Sequence, residues 1–232
     1  MKGFLFDIKG NWAHYRKPET NNNPLTHDFI TKTALIGMIG AVLGIDRKAM
    51  CELFPQLCED LLYSVCVKNA VKKESWAFTL RYVVDFFQKA PKQMEFLKNP
   101  HNRIALALKS DRSYRFFDDF QVAVQNHQAY FTPVLGLHNC PAELSFVSSG
   151  DFHPQKGDFT TQSFVTNKHQ LNKEKFLEGF RLQVERIPTF QNSNFWNLPD
   201  KYVRVIYPSE GAIVSAEGEY FKFTDESQWV LI

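Results

Sequence analysis

The sequence is poor in cysteine and has none of the cysteine pairs that mark a zinc site or a secreted disulfide fold. Its four cysteines, at positions 51, 58, 66 and 140, are irregularly spaced, and no two of them form a C-x-x-C motif. No segment resembling a secretory signal precedes the first strand-like run. These absences argue against zinc binding and favour a reduced, cytoplasmic protein. We therefore expect neither a metal nor a cofactor.

Long apolar runs and an excess of one charge are also missing. The most apolar run, from Ala34 to Ile45, has 12 residues, whereas a membrane-spanning helix needs about 20. We therefore expect no membrane contact. The formal net charge is only +2, so overall charge gives no evidence for nucleic-acid binding, and any basic surface must be local.

Phenylalanine, in contrast, is abundant, with 22 residues in a chain of 232. Because Phe is costly to expose, most of these side chains should lie in a core, and the length suits one domain. Near the start, Phe4, Phe6 and Ile8 alternate with other residues and predict a half-buried strand. Two further strand-like stretches, 63–71 and 75–87, are close in sequence and predict an antiparallel pair.

The order of the predicted segments indicates an α+β fold. A strand, a helix and two strands come first, and a later helix and more strands follow. This is the order of a ferredoxin-like or RRM-like split β-α-β unit with additions. We expect one domain over residues 1–232, in which the part from about 145 to 232 is rich in β-strands. Such a fold hosts many functions and cannot fix the function alone.

The predicted helix at Phe29–Arg47 carries three glycines, which fall on one helical face at Gly37, Gly40 and Gly44. Each interior glycine costs up to about 1 kcal/mol relative to alanine. One interpretation is close packing of the helix against a sheet. The other adds an RNA or partner backbone at the N-terminal end, where Lys32, Thr33 and free N–H groups would seat a phosphate. The spacing fits neither a dinucleotide fingerprint nor a P-loop.

Two segments together resemble a known family. The first is FDIKGNWAHYRKP, followed by PLTHDFITKTALIGMIGAVLGIDR, and the second is the turn TPVLGLHNCPAEL at Thr132–Leu144. In this order they resemble the fifth CRISPR-associated protein family, of the repeat-associated RAMP superfamily. The size and the C-terminal segment ERIPTFQ are most similar to the type I-B version.

The resemblance implies an RNA-binding subunit of Cascade, a type I CRISPR effector complex of antiviral defence. Members resemble a right hand with a ferredoxin-like palm and a thumb. They hold the 5′ handle of the CRISPR RNA (crRNA) and cap the backbone filament of the complex. The implied partners are crRNA, the Cascade backbone subunit and the large subunit, with target DNA contacted indirectly. We expect the thumb in the basic and aromatic stretch at about 88–118.

The candidates for RNA contact are cations, aromatic residues and small polar residues. Aromatic and guanidinium faces stack on splayed bases, while Arg and Lys bind phosphates. The candidates are His14, Tyr15, Arg16 and Lys17 in the loop after the first strand, Lys32 and Thr33 at the helix start, Lys109, Arg112 and Arg115 in a basic patch, and His138 and Asn139 in the turn. For each, the alternative is a solvated or structural role without RNA. In the turn, Gly136 predicts a positive φ or a close backbone approach.

Catalysis is not expected. In the type I-C branch of the resembling family, the member cuts the crRNA precursor without metal. That reaction needs a base for the 2′-hydroxyl, an acid for the leaving oxygen and a cation. Here the candidates for a nuclease are His14, Tyr15 and His138, which form no distinctive constellation in the sequence. A metal-independent endoribonuclease and a purely structural assembly subunit stay open beside the favoured RNA-binding subunit.

Overall fold

The computed structural model describes residues 1–81, 84, 87, 89–175 and 181–232. Within these residues the α-helices are α1 (Lys32–Leu43), α2 (Arg47–Asp60) and α3 (Tyr114–Gln125). The strands are β1 (Lys2–Lys9), β2 (Trp12–Ala13), β3 (Leu61–Val67), β4 (Lys73–Arg81), β5 (Lys89–Lys98), β6 (His101–Leu108), β7 (Glu143–Thr161), β8 (Val165–Thr166), β9 (Gln170–Leu171), β10 (Leu182–Phe190), β11 (Lys201–Pro208), β12 (Val214–Phe223) and β13 (Gln228–Trp229). No helix in this part of the chain is long and apolar enough to cross a membrane.

The main sheet is antiparallel and has seven strands, in the order β13–β12–β7–β1–β6–β3 with β9 beside β12. Taken as first to fourth, β1, β3, β6 and β7 lie in the order four-one-three-two. This is the strand order of a ferredoxin-like unit. The helices α1 and α2 connect its first and second strands, and α3 connects its third and fourth. The predicted α+β class is confirmed.

The predicted pairing of stretches 63–71 and 75–87 is wrong. The first stretch contains most of β3, which pairs with β6 instead. Residues 104–108 of β6 are each 5% exposed or less, and such a continuous apolar run is typical of a fully buried strand. The second stretch contains most of β4, whose side chains are mainly exposed, and it pairs with β5. Its end, beyond Arg81, lies largely outside the described residues.

The stretch at about 88–118, where we expect the thumb, spans several elements of the fold, and its assignment as a thumb stays a prediction. This stretch includes β6, at the centre of the sheet, and the start of α3, and both belong to the ferredoxin-like unit. The inserted element is instead the antiparallel hairpin of β4 and β5, which enters the chain between β3 and β6. Among the described strands, the hairpin pairs outside itself only with β2. It is therefore an insertion into the ferredoxin-like unit.

Two of the three glycines, Gly40 in α1 and Gly44 at its C-cap, face another helix and a loop, so close packing against a sheet is the wrong explanation for them. A Cβ added to Gly40 would lie 2.7 Å from the Sδ of Met50 on α2. Gly44 ends α1 with φ +71°, and its added Cβ would lie 2.5 Å from the ring of Tyr130. At Gly37 an added Cβ would meet nothing within 4 Å. Only two of the three glycines therefore serve a close approach.

Aromatic packing fixes α3 against the sheet. Phe4 and Phe6 of β1 are 0% exposed. Their rings meet Phe117 and Phe120 of α3 edge-on, at centroid distances of 5.4 and 5.6 Å. Burying a Phe side chain stabilises a protein by about 1.5–3 kcal/mol. This packing fixes the connection between β6 and α3, which carries Lys109 and Arg112.

Candidate nucleic-acid interface

A cleft of about 1330 Å³ opens beside the start of α1 and is lined from distant parts of the chain. Its walls come from the end of α2, the β6–α3 connection, the β8–β9 turn and strands β7, β10, β11 and β12. Among the described lining residues, six are lysine or arginine and three carry a side-chain carboxylate. The cations are Lys32, Lys109, Lys156, Lys168, Lys201 and Arg204, and the carboxylates are Glu59, Asp60 and Glu219.

The six cations of the cleft have no carboxylate partner within the described part of the chain. Two of the three carboxylates already bind an arginine that does not line the cleft. Arg112 donates to both oxygens of Asp60, at 2.9 and 2.8 Å, and to Glu59 at 3.2 Å. Burial alone would raise the pKa of Asp60, but the hydrogen bonds from Arg112 and Ser113 and the charge of Arg112 lower it. The cleft therefore presents an excess of positive charge.

Aromatic side chains lie among these cations. Phe190, Tyr202 and Phe221 line the cleft and are partly exposed. The ammonium group of Lys201 lies 4.6 Å from the ring centroid of Phe190. A basic groove with aromatic faces is the combination that binds single-stranded nucleic acid, because the cations contact phosphates and the rings stack on bases. The cleft is therefore our candidate interface.

The start of α1 is built as a capped helix end. Thr31 is the N-cap, and its hydroxyl accepts the N–H of Ala34 at 3.2 Å. The hydroxyl of Thr33 lies 3.1 Å from that of Thr31. Lys32, the first residue of α1, is only 5% exposed and lines the cleft. The helix end thus directs its positive dipole end and a lysine toward the same cavity.

The basic patch predicted at 109–115 divides into three different environments. Lys109 is exposed and lines the cleft with Lys32, as a joint phosphate site would require. The guanidinium of Arg112 is bound to Asp60, so its described role is structural. Arg115 lies outside the cleft lining, and its side chain is 89% exposed, 3.7 Å from Asp119. The three do not form one surface.

The loop after β1 does not present its aromatic side chains. His14 and Tyr15 are each 3% exposed, so neither ring is presented to a base in this structure, and their contact with RNA stays a prediction. The Nδ1 of His14 lies 2.7 Å from the carbonyl oxygen of Glu95. Burial lowers the pKa of His14 and raises that of Tyr15. Both rings belong to the core between the loop and β5.

The two cations of this loop also differ from each other. Arg16 is exposed and donates to the carbonyl of Thr20 and the side-chain oxygen of Asn21. Lys17 donates to both carboxylate oxygens of buried Glu185, at 2.9 and 3.1 Å. Lys17 therefore has a structural partner, and Arg16 alone of the four loop candidates is exposed to a ligand.

The turn at Thr132–Leu144 packs directly on this loop. The two sequence segments that carry the family resemblance are therefore in contact. Gly136 has φ +91°, and an added Cβ would lie 1.9 Å from the carbonyl oxygen of His14. The predicted positive φ and close approach at this glycine are both confirmed. His138 and Asn139, next in the turn, are exposed.

His138 and Asn139 do not line the cleft, and the segment that leads into their turn contacts the opposite end of α1. The N–H of Tyr130, just before the turn, donates to the carbonyl of Val42 near the helix C-terminus, whereas Lys32 is at the N-terminus. Twelve helical residues separate the two ends by about 18 Å. The structure therefore divides the predicted residues into a cleft group (Lys32 with Thr33, and Lys109) and a separate turn group (His138 and Asn139).

The cleft residues of the C-terminal part were not among the predicted candidates; they are Lys156, Lys168, Lys201 and Arg204. They are dispersed over strands and turns and form no run. Arg204, inside the apolar strand segment YVRVIYP, was the one available signal, because a cation in such a strand must reach solvent or a partner.

The described residues contain no group of three His, Cys, Asp or Glu side chains placed to hold a metal ion. The three nuclease candidates are not arranged as a reacting set. His14 and Tyr15 are buried, and His138 is exposed in the turn. A buried ring without access to solvent cannot reach a substrate 2′-hydroxyl in this conformation.

Comparison with known proteins places the chain among CRISPR-associated proteins. Residues 3–194 match the family model described as CRISPR-associated protein (Cas_Cas5). No curated protein sequence matches the chain.

Three solved structures share the fold. A CRISPR protein from Archaeoglobus fulgidus is 14% identical with a TM-score of 0.60, over 99% of this chain and 98% of that chain. A chain of a CRISPR RNA-guided surveillance complex is 12% identical with a TM-score of 0.56, over 89% and 90%. A chain of the type III-B Cmr-beta complex bound to cognate target RNA is 9% identical with a TM-score of 0.51, over 91% and 86%. At such identities the likeness is one of fold.

Proposed function

The chain belongs to the Cas5 family of CRISPR-associated proteins, and from this premise we propose that it is a crRNA-binding subunit of a CRISPR effector complex. The observation that carries the proposal is the cleft, in which six cations without carboxylate partners among the described residues surround three aromatic side chains. The net charge of the whole chain is only +2, so this excess of cations in the cleft is a local feature. Such a surface attracts a flexible polyanion with stackable bases.

Within this role, we propose that the cleft holds the 5′ handle of crRNA in a type I complex and that the subunit caps the backbone filament. The surveillance-complex chain and the Cmr-beta chain that share this fold support an assembly of this kind. The sequence features most similar to type I-B support that subtype. The β4–β5 hairpin, with exposed Phe78 and Leu80, is the surface we assign to a neighbouring backbone subunit.

We also propose that the subunit binds RNA without cleaving it. Metal-independent cleavage needs an acid and a base that both reach the reacting oxygens. Of the three candidates, His14 and Tyr15 are enclosed in the core. Incubating the purified protein with a repeat-derived RNA in EDTA tests this directly, and the appearance of discrete cleavage products would establish a nuclease instead.

Removing two exposed cations of the cleft should weaken RNA binding and flatten its salt dependence. We expect the double substitution Lys168→Ala with Arg204→Ala to lower the affinity for a handle-containing RNA at least about tenfold. The slope of log K against log salt should fall by about 1.4, because each lost phosphate contact to a single strand contributes about 0.7. Fluorescence anisotropy from 50 to 300 mM salt, roughly the range in which such contacts dominate, measures both quantities.

The matched control is Lys2→Ala with Lys48→Ala, which removes the same charge from exposed positions outside the cleft. Its slope should stay near that of the unsubstituted protein. An equal loss in both double variants would show a general charge effect and reject the cleft as the binding site. Sequencing of co-purified RNA, and competition with a scrambled handle, then test whether binding depends on the handle.

A further inference from the structure

Lys32 is an unusual residue for the floor of a cleft. Its side chain is 95% buried, since only 5% is exposed, and it lines the cavity at the first position of α1. Among the described residues, its ammonium group has neither an ion pair nor a hydrogen bond. A buried lysine without a partner destabilises a fold, because its charge is removed from water. Packing alone does not explain a cation at this position.

The groups that face Lys32 do not compensate its charge. The thiol of Cys58 comes from α2, Lys109 from the end of β6, and Lys201 from the start of β11. The carboxylates that line the same cleft on this side, Glu59 and Asp60, are bound to Arg112. The N-terminal end of the α1 dipole adds further positive potential. Lys32, Lys109 and Lys201 thus line one cleft beside a helix N-terminus, and none of them has a carboxylate partner among the described residues.

We propose that Lys32, Lys109 and Lys201 form a subsite for one phosphate group of the bound RNA at the floor of the cleft. The inference rests on the proposed function and adds to it a specific, buried anchoring point. Lys168 and Arg204 line the same cleft and attract the strand by exposed charge, as Lys109 and Lys201 also do, whereas Lys32 is only 5% exposed. A charge-assisted bond formed there is stronger and more directional than one formed in water.

This subsite makes RNA binding dependent on protonation. Burial, the largest cause, and the charges of Lys109 and Lys201 together lower the pKa of Lys32 to about 8, against an opposing effect of Cys58. A bound phosphate supplies the missing negative charge and raises that pKa again. Above pH 8 the free protein carries mostly neutral Lys32, and RNA binding must then take up a proton. Affinity should therefore fall as the pH rises from about 8 to 9.5.

The test uses the full chain with an unstructured probe, the octanucleotide U8, in calorimetry at pH 8.5 in two buffers of different ionisation enthalpy. We expect the unsubstituted protein to take up roughly half to one proton per RNA bound. Lys32→Met should bind about tenfold more weakly at pH 7 and take up almost none. Methionine has a similar length and suits a buried site, so this variant should fold.

The matched control is Lys168→Met, which removes an exposed cation of the same cleft. It should lose a similar affinity and keep the proton uptake. The inference is overturned if Lys32→Met retains the uptake or binds U8 as tightly as the unsubstituted protein. If the unsubstituted protein binds no U8 and no handle RNA, the proposed function fails as well.

The phosphate can be internal or terminal, and the probe distinguishes the two. Comparing U8 with a 5′-hydroxyl, U8 with a 5′-phosphate and free inorganic phosphate identifies the source. Equal proton uptake with both oligonucleotides assigns the subsite to an internucleotide phosphate. Uptake with the 5′-phosphate alone assigns it to a terminal phosphate. No uptake with any of the three probes rejects the subsite.

Discussion

Replacing Gly136 with alanine should destabilise the protein by about 2–6 kcal/mol, or prevent it from folding. Two costs combine at this position. A φ of +91° disfavours any residue with a Cβ by about 1–3 kcal/mol, and the added Cβ would lie 1.9 Å from the carbonyl oxygen of His14. Because that oxygen is backbone, relief requires the turn to move away from the loop, at about 1–3 kcal/mol more. Urea denaturation followed by circular dichroism measures the loss.

Substitutions at two other glycines separate the cost of the positive φ from the cost of the close contact. Gly157 has φ +134°, and an added Cβ there meets nothing within 4 Å, so Gly157→Ala should show the conformational cost alone, about 1–3 kcal/mol. Gly37 is an exposed helix-interior position with open space, and Gly37→Ala should stabilise the protein by up to about 1 kcal/mol. If Gly136→Ala were no worse than Gly157→Ala, the close contact with His14 would not be decisive.

Replacing Glu185 with glutamine should remove about 2–3 kcal/mol of stability at pH 7. The carboxylate is 6% exposed and binds Lys17 through both oxygens, with the Nδ1 of His27 at 3.3 Å. Burial alone would raise the pKa of Glu185, but the hydrogen bonds and charges of His27 and Lys17 lower it to about 2. Relative to an unfolded value of 4.5, this difference corresponds to about 3 kcal/mol.

The pH dependence follows from the direction of this shift. A carboxyl group whose pKa is depressed in the folded state stabilises that state fully above its unfolded pKa. The stabilisation of the unsubstituted protein should therefore diminish as the pH falls from about 4.5 to about 2. Glu185→Gln should lack this part of the acid dependence, so the two stability curves should converge at low pH. Glu52→Gln, at an exposed position of α2, is the control and should follow the unsubstituted curve.

The fold class was predictable from local patterns, whereas one central strand was not. Alternation in β1 and helical spacing in α1 are properties of a few consecutive residues. The segment HNRIALAL, which forms β6, follows a lysine-rich stretch and carries two polar residues and an arginine at its start. Strands adjacent in sequence also pair more often than distant ones, which favoured the wrong pair. Burial between β1 and β3 decides the position of β6, and this is a tertiary effect.

The candidate site was predictable only where its residues are local. Lys32 could be predicted because it lies at the start of a predicted helix, and Lys109 because it lies in a short basic patch of the sequence. Lys168 and Lys201 reach the cleft only after the C-terminal strands have paired, so no spacing in the sequence indicates them. The loop His14–Lys17 shows the opposite limit, in which residues are predicted to form a site from composition alone. Its composition suits RNA, but composition does not determine whether an aromatic ring points inward or outward.

The position of β1 in the sheet also affects how the chain folds during its synthesis. Its two neighbours are β6, about 100 residues later, and β7, about 140 residues later, and such distant pairing slows folding. At a translation rate of 5–20 residues per second, the ribosome needs about 5–20 s to deliver β6 after β1 has emerged. During that interval the strand KGFLFDIK is an unpaired apolar edge on a nascent chain. Synthesis that is slower or more crowded should therefore lower the yield of native protein, with aggregation initiated by the first segment to be translated.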